Sequence, residues 1–178
     1  VACATSRSWH DNNPMSPWLE DRLFAVREQN IMTKANLHRM KLAPDSLCRF
    51  CGGAPETVDH LTCGCGALAG TRYLKRHDAI AKIIYCSILE KIGLKTGPHW
   101  NHKPLRHVAD EEGRNHVYWD VKWYQGDKSI EAKKPDIVWE SPEEIVIIEI
   151  GRPGDANVVH KEREKRTKYI ELADRFRR

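Results

Sequence analysis

Two carboxylates stand at matching ends of two short apolar runs, with Asp136 before the first run and Glu149 after the second. The polar loop Ser141-Pro142-Glu143-Glu144 joins the runs, and a four-residue loop predicts a β-hairpin that pairs Glu140 with Ile145. Continuing that ladder sets Asp136 opposite Glu149, where like charges repel unless a cation or a proton lies between them. Carboxylate oxygens suit Mg²⁺, so the spacing is compatible with a divalent-metal site. Two ordinary strand-end carboxylates in water explain the spacing equally well.

A helix with a basic face is predicted after the hairpin. Asp155 or Asn157 would cap this helix, which would run to about Phe176. Lys165 and Tyr169 are four residues apart, so they share one face. If the helix packs beside the hairpin, a lysine ammonium can approach the carboxylate pair. An exposed helix whose lysines pair with its own glutamates is the simpler explanation of the same spacing.

Four of the six cysteines cluster around one histidine. Cys48 and Cys51 have the spacing of a zinc-knuckle turn, and the two glycines that follow let the backbone fold back. His60 comes next, and Cys65 stands after four intervening residues. Three thiolates and one imidazole make a closed tetrahedral Cys₃His site, the structural kind of zinc site, with Cys63 as the alternative fourth ligand. Free thiols that cluster by chance are the competing interpretation.

The composition sets broad bounds. A chain of 178 residues suits one domain or two small ones, and a formal net charge of +4 is compatible with nucleic acid without arguing for it. No apolar run is long enough to span a membrane. The start, Val1-Ala2-Cys3, lacks both an initiator methionine and the apolar region of a signal peptide, so we expect a fragment or a processed product. Residues 1–15 have no clear period and are expected to be a loose lead-in.

Two helices are predicted before the hairpin. The first begins at Pro17 and continues through Leu37 with apolar residues at helical spacing. The second spans Leu68 to Ile92 and ends at Gly93. Its first half is basic and could contact a DNA backbone, although an ordinary charged surface explains the same residues. The candidate contacts are Arg72, Lys75, Arg76 and His77.

A three-stranded β-meander is predicted to carry the carboxylates. Residues 95–115 look like loop, and the alternation over 117–124 then predicts a half-buried strand. Residues 129–139 and 145–150 would form the second and third strands. Asp120 on the first strand is a candidate third acid, but the pattern favours a residue on the strand surface.

Taken in the order in which they occur along the chain, the motifs resemble those of a known family. The Cys₃His knuckle precedes the triplet Arg76-His77-Asp78, then Lys134-Pro135-Asp136, then the apolar strand ending in Glu149, and last Glu164-Lys165 with Lys168-Tyr169. They resemble the C-terminal part of polyproteins from site-specific non-LTR (LINE-type) retrotransposons. Those polyproteins carry a restriction-like endonuclease of the PD-(D/E)xK superfamily. The resemblance extends over roughly residues 17–176, and its specificity comes from the order of the motifs.

The resemblance implies a role for each site residue. Asp136 and Glu149 would bind the catalytic Mg²⁺. The superfamily lysine usually lies two residues after the second acid, where this chain has Gly151, so Lys165 of the following helix would replace it. Tyr169 would support the site. The residues implied to contact nucleic acid are Arg72, Lys75, Arg76, His77 and Lys168.

The resemblance also implies an α+β fold in three segments. Residues 1–47 would be a helical linker, 48–94 the zinc knuckle with its basic helix, and 95–178 a restriction-like endonuclease domain that is C-terminally incomplete. The implied function is Mg²⁺-dependent nicking of target DNA, which leaves a 3′-hydroxyl that primes reverse transcription. The implied partners are DNA, the element's RNA and a reverse transcriptase domain in the parent polypeptide, in the nucleus. The alternatives are a non-catalytic zinc-containing module that binds nucleic acid, and a zinc-folded interaction domain.

Overall fold

Backbone contacts divide the chain into two units, one up to Leu68 and one from Ala69 onward. The computed structural model describes residues 15–99, 101–125, 128–129, 134–151, 153 and 157–177. The described parts mix helices with an antiparallel sheet, which confirms the α+β class. The three functional segments stay a prediction. Of the described helices, none is long and apolar enough to cross a lipid bilayer.

The first unit has two helices in the stretch where one is predicted. Helix α1 spans Pro17–Arg27 and helix α2 spans Lys34–Arg39. The chain breaks between them because Gln29 has a left-handed φ of 56°. The hydroxyl of Thr33 then accepts a hydrogen bond from the N–H of Asn36 and caps α2. The prediction of one continuous helix is therefore wrong.

The second unit begins with the basic helix. A π-helical turn at Ala69–Tyr73 leads into α3, which spans Leu74–Lys91, so the α-helical part begins later than predicted. The end is confirmed, because Gly93 takes a φ of 84° and donates its N–H to the carbonyl of Glu90 at 3.1 Å. The side chains that α3 buries are Ala81, Tyr85, Cys86, Ile88 and Leu89.

Among the described residues, six short strands form two antiparallel sheets. In chain order they are β1 His107–Ala109, β2 His116–Trp119, β3 Tyr124–Gln125, β4 Lys128–Ser129, β5 Ile137–Glu140 and β6 Ile145–Ile148. The larger sheet has the order β1-β2-β5-β6, and β3 pairs only with β4 in the smaller one. Strands β2, β5 and β6 are thus antiparallel neighbours, as the meander predicted.

The observed strands differ from the predicted strands in three ways. Strand β1 lies within the segment predicted as loop, and it pairs with β2 through Val108 and Val117. Strand β2 ends at Trp119 because Asp120 has a φ of 53°, which an extended strand does not accommodate. The second predicted strand is reduced to β5 with the short β4 before it, and residues 130–133 lie outside the described residues.

The last helix, α4, spans Val158–Phe176 and confirms the predicted end. Asn157 occupies the N-cap position, but its side chain caps no N–H of the described helix. The alternative cap, Asp155, lies outside the described residues. Tyr169 and Leu172 are the side chains that α4 buries, so Tyr169 is held in place by packing as well as by its polar contacts.

A hydrophobic core joins α3 to the larger sheet. Tyr85 and Leu89 of α3 are buried with Val117 of β2 and Ile137 of β5. The ring of Tyr85 also meets the ring of Trp119 edge-on, with centroids 5.4 Å apart. This core holds α3 against the strands that lead to the two carboxylates.

Replacement of Ile137 by alanine should destabilise the second unit by about 3 kcal/mol, because its side chain is 0 % exposed and would leave a cavity. Urea unfolding followed by near-ultraviolet circular dichroism measures the loss. The matched control is Ile170→Ala on α4, whose side chain is 53 % exposed, with an expected change of about 0.5 kcal/mol or less. Equal losses in the two variants would contradict this core.

Candidate functional site

The two carboxylates lie at the open end of the β5–β6 hairpin. The observed register pairs Glu140 with Ile145, which confirms the register predicted from the four-residue loop. Asp136 immediately precedes β5 and Glu149 immediately follows β6, so each stands one residue beyond the last pair of the ladder. The hairpin therefore brings together two acids that are 13 positions apart in the chain.

Side chains of α4 hold Glu149. Lys165 forms an ion pair with its Oε1 atom, and the ammonium of Lys168 lies 3.4 Å from the same oxygen. The hydroxyl of Tyr169 donates a hydrogen bond to Oε2 at 2.7 Å. The structure thus brings Lys165 and Tyr169 to the second acid, the arrangement expected only if the helix packs beside the hairpin. The catalytic roles of these residues stay predictions.

These contacts set the ionisation of the group. Burial acts to raise the pKa of Glu149, but the hydrogen bonds from Lys165 and Tyr169 outweigh burial and lower its pKa. Burial and the hydrogen bond to Glu149 together raise the pKa of Tyr169, so its hydroxyl keeps the proton that it donates. At neutral pH, Glu149 is therefore a carboxylate with cationic and hydroxyl partners.

Asp136 is held through its Oδ2 atom. That oxygen accepts a hydrogen bond from the N–H of Ile150 at 2.6 Å and lies 3.2 Å from Nε2 of His77. The other ring nitrogen of His77 lies 3.2 Å from Oδ1 of Asp78. Burial acts to lower the pKa of His77, but its hydrogen bond to Asp78 and the charge of Asp136 raise the pKa. No described residue donates a hydrogen bond to Oδ1 of Asp136, so that oxygen could accept a further ligand.

The predicted nucleic-acid contacts have different surroundings. Arg72 in the π-helical turn and Lys75 at the start of α3 are exposed. The guanidinium of Arg76 lies over the ring of Tyr73, 4.9 Å from its centroid. His77 is half-buried and faces Asp136. Their binding of nucleic acid stays a prediction, and the positions of Arg72 and Lys75 suit it best.

A cavity of about 550 Å³ opens beside Glu149, between the end of β6 and α4. Apolar side chains form much of its wall, and the lysines that share the face of α4 stand among them. The side chains that define it include Ile147, Glu149, Val158, Lys161, Lys165 and Ile170. The cavity lining therefore combines apolar side chains with both ammonium groups and carboxylates.

The predicted zinc ligands converge in the first unit. The ligand atoms of Cys48, Cys51, His60 and Cys65 all lie within 4.8 Å of one another, so these residues could hold a metal ion. Sγ of Cys48 is 3.9 Å from Sγ of Cys65, and Sγ of Cys51 is 3.3 Å from Nε2 of His60. In the described part of the chain, Cys65 rather than Cys63 belongs to this group.

Local backbone structure explains the convergence. Gly52 takes a φ of 66° and donates its N–H to the carbonyl of Cys48 at 2.8 Å, which folds the chain back after the first two thiols. A β-bridge between Leu47 and Pro55 closes this turn. The π-helical turn His60–Gly64 then separates the histidine from the last cysteine.

One thiol is prepared for metal binding. Burial acts to raise the pKa of Cys48, but hydrogen bonds from the backbone N–H groups of Cys51 and Phe50 outweigh it and lower the pKa to about 7. The thiolate is the form that binds metal. Burial raises the pKa of Cys65 in the same cluster, so the two thiols differ in how readily they release a proton to a metal.

Sequence reasoning missed a buried carboxylate whose ion pair supports the knuckle. Glu56 is 0 % exposed and accepts hydrogen bonds from the Arg49 guanidinium at 2.6 and 2.8 Å. It also accepts from the backbone N–H groups of Arg49 and Lys34, both at 2.9 Å. Its partners are 7 and 22 positions away, so no local pattern marks the residue. The pair ties the knuckle to the start of α2.

The ion pair predicts an acid-dependent loss of stability. The hydrogen bonds from Arg49 are the main cause that lowers the pKa of Glu56 from 4.5 to about 2. Because the folded-state value is the lower one, the stabilisation is complete above about pH 4.5 and is lost as the pH falls through about 2. Carboxyl-carbon NMR titration of Glu56 checks this, and a midpoint near 4.5 would contradict it.

The matching substitution is Glu56→Gln. At pH 7 it should lower the unfolding free energy of the metal-loaded first unit by about 2 kcal/mol or more, because a charge-assisted network is lost. Urea unfolding measures the change. The exposed Glu28 provides the control, and Glu28→Gln should change the stability by about 0.5 kcal/mol or less.

The predicted site residues thus form two groups, one in each unit. The first is a Cys₃His cluster that could hold a metal ion, and the second is an acid pair with lysine, tyrosine and histidine partners. Comparison of the chain with protein-family models, curated proteins and solved structures finds no match.

Proposed function

We propose that the second unit is a Mg²⁺-dependent DNA endonuclease of the restriction-like PD-(D/E)xK type, as in site-specific non-LTR retrotransposons. The observation that carries this proposal is the contact of Lys165 and Tyr169 with Glu149 at the hairpin end that also presents Asp136. Two acids that could bind a divalent ion, with a lysine beside them, can support metal-assisted phosphodiester hydrolysis. The order of the sequence motifs supports the same family.

The donor set fits a magnesium ion. Oδ1 of Asp136 and the carboxylate of Glu149 are hard oxygen ligands, the kind that Mg²⁺ prefers. When bound, the ion would supply Lewis-acid polarisation of the scissile phosphate and a lower pKa for a bound water. Lys165 and Lys168 both approach the same oxygen of Glu149. Together they neutralise its charge, and they are the groups that a dication would have to replace.

The chain's own residues account for the rest of the reaction. Lys165 would orient the attacking water or stabilise the charge that builds on the phosphate oxygens. Tyr169 keeps its proton and donates a hydrogen bond to Oε2 of Glu149, while Lys165 and Lys168 approach Oε1. The exposed Arg72 and Lys75, with Lys168, would bind phosphates of the DNA backbone.

The proposal also includes a structural zinc ion in the Cys₃His cluster. Three thiolates and one imidazole within 4.8 Å suit a closed tetrahedral Zn²⁺ site with a structural role. The knuckle would help to bind nucleic acid, which includes the target DNA and the element's RNA. In the parent polypeptide, a reverse transcriptase domain would extend the 3′-hydroxyl at the nick, in the nucleus.

A plasmid-nicking assay tests this function. The zinc-loaded chain is incubated with supercoiled plasmid with and without added Mg²⁺, and conversion to the open-circular form is measured. We expect conversion only with Mg²⁺, and extension of the nick by a DNA polymerase would identify the 3′-hydroxyl. Chelators are avoided because they would also remove zinc. Failure to nick in Mg²⁺ would overturn the proposal.

A second candidate is a non-catalytic module that binds nucleic acid. It is favoured by the fact that protein groups already neutralise both acids, since Glu149 has lysine partners and Asp136 has His77. Such a module would bind DNA with an affinity that falls steeply as salt rises, and it would not cut. Binding and nicking measured on the same samples separate the two candidates.

A further inference from the structure

We propose that His77 is a positioning residue that orients Asp136, rather than a residue that contacts nucleic acid. This inference rests on the proposed nuclease function and adds a residue to that site. His77 lies on α3, 59 positions before the acid, so only the folded chain brings the two side chains together.

The contacts of Asp136 are divided between its two oxygens. Oδ2 is held by the N–H of Ile150 at 2.6 Å and by Nε2 of His77 at 3.2 Å. No described residue donates a hydrogen bond to Oδ1. Ile150 follows Glu149 directly, so the backbone donor also fixes Asp136 relative to the second acid. Two contacts on one oxygen restrict rotation of the carboxylate and leave Oδ1 as the oxygen that could bind a cation.

The imidazole is itself oriented. Nδ1 of His77 lies 3.2 Å from Oδ1 of Asp78, and Nε2 lies 3.2 Å from Oδ2 of Asp136. The ring is therefore held between two carboxylates, one at each nitrogen, which fixes its orientation toward Asp136.

Packing makes α3 a stable support for this residue. Ala81, one turn after His77, is 1 % exposed, and Tyr85, one turn further, is 0 % exposed. The side chain of His77 is 31 % exposed. Its Nε2 atom lies beside the carboxylate of Asp136, which would repel a phosphate placed there. Arg72 and Lys75 lack this constraint, so we separate His77 from the predicted nucleic-acid contacts.

The test measures nicking as a function of Mg²⁺ concentration for the full 178-residue chain and its variants. In His77→Ala, the Mg²⁺ concentration for half-maximal nicking should rise about 10- to 100-fold, the usual effect of losing a group that orients a metal ligand. The Kd for uncut plasmid in Ca²⁺ should stay within about twofold. His77→Gln keeps an N–H donor and should recover most of the Mg²⁺ response. His107→Ala, which removes an exposed histidine of β1, should match the parent.

A second variant keeps the test valid if His77→Ala does not fold. Asp78 is 47 % exposed, so Asp78→Ala should fold, and it should shift the Mg²⁺ response in the same direction by about threefold to tenfold. A parent chain that does not nick in Mg²⁺ would overturn the proposed function and this inference with it. A parent that nicks, with no shift in His77→Ala or in Asp78→Ala, would overturn the inference alone. Weaker plasmid binding with an unchanged Mg²⁺ response would also overturn it, and would make His77 a contact to nucleic acid.

Discussion

Cys65→Ala is expected to abolish tight zinc binding by the first unit, whereas Cys63→Ala is expected to leave it intact. The thiol of Cys65 is 0 % exposed and belongs to the Cys₃His cluster. Structural zinc contributes about 10–16 kcal/mol to small zinc-folded peptides, so a site that loses one of four ligands also loses much of its folding energy. Zinc content per chain after dialysis measures the effect.

The pair of variants is well matched, because each removes one thiol from neighbouring positions of the same turn. A Co²⁺-substituted sample adds a spectroscopic measure, since thiolate-to-cobalt absorption falls when one sulfur ligand is lost. Loss of zinc in Cys63→Ala with retention in Cys65→Ala would reverse the ligand assignment. Retention in both variants would show that the cluster is not a structural zinc site.

Asp136→Asn is expected to lower Mg²⁺-dependent nicking by about three powers of ten or more, because a carboxylate ligand supplies several kcal/mol of metal-based stabilisation. The substitution keeps the shape of the side chain and an oxygen that can accept the N–H of Ile150. The fold, the zinc content and the affinity for plasmid should therefore stay close to those of the parent. Initial nicking rates on supercoiled plasmid give the comparison, and Glu149→Gln should have a similar effect.

Asp120→Asn is the control for this substitution. Asp120 also lies next to the hairpin, since its N–H donates to the carbonyl of Asp136 at 2.9 Å. Its side chain pairs with Lys134, and asparagine tolerates the left-handed backbone that it adopts. We expect its nicking rate to stay within about threefold of the parent, because a mostly exposed ion pair contributes little. If Asp136→Asn cuts as fast as Asp120→Asn, the metal-ligand assignment is wrong.

The features that the sequence predicted well depend on neighbours within a few residues. The loop between Glu140 and Ile145 sets the hairpin register, and Gly93 ends α3, since both depend on local backbone geometry. Lys165 and Tyr169 share a helix face because of the 3.6-residue period. The knuckle is also local, and the spacing of its residues predicts the Cys₃His group that could hold a metal ion, with Cys63 left as an alternative to Cys65.

The features that the sequence missed carry no periodic signal of their own. Strand β1 is three residues long and carries no period, so only its pairing with β2 makes it a strand. The break at Gln29 and the end of β2 at Asp120 are single left-handed residues that apolar patterning does not mark. Glu56 gives no local sign of its burial, because its partners come from α2 and from the knuckle turn.

By itself, the sequence determined which groups are present for chemistry and which of them share a hairpin end, a helix face or a metal-binding turn. The tertiary structure alone decided how those pieces meet. It turned Lys165 and Tyr169 of α4 toward Glu149, and it placed His77 of α3 against Asp136. The physical reason is that local periodicity orients a side chain about its own element. The partner of that side chain is determined by the packing of one element on another, which depends on the whole core.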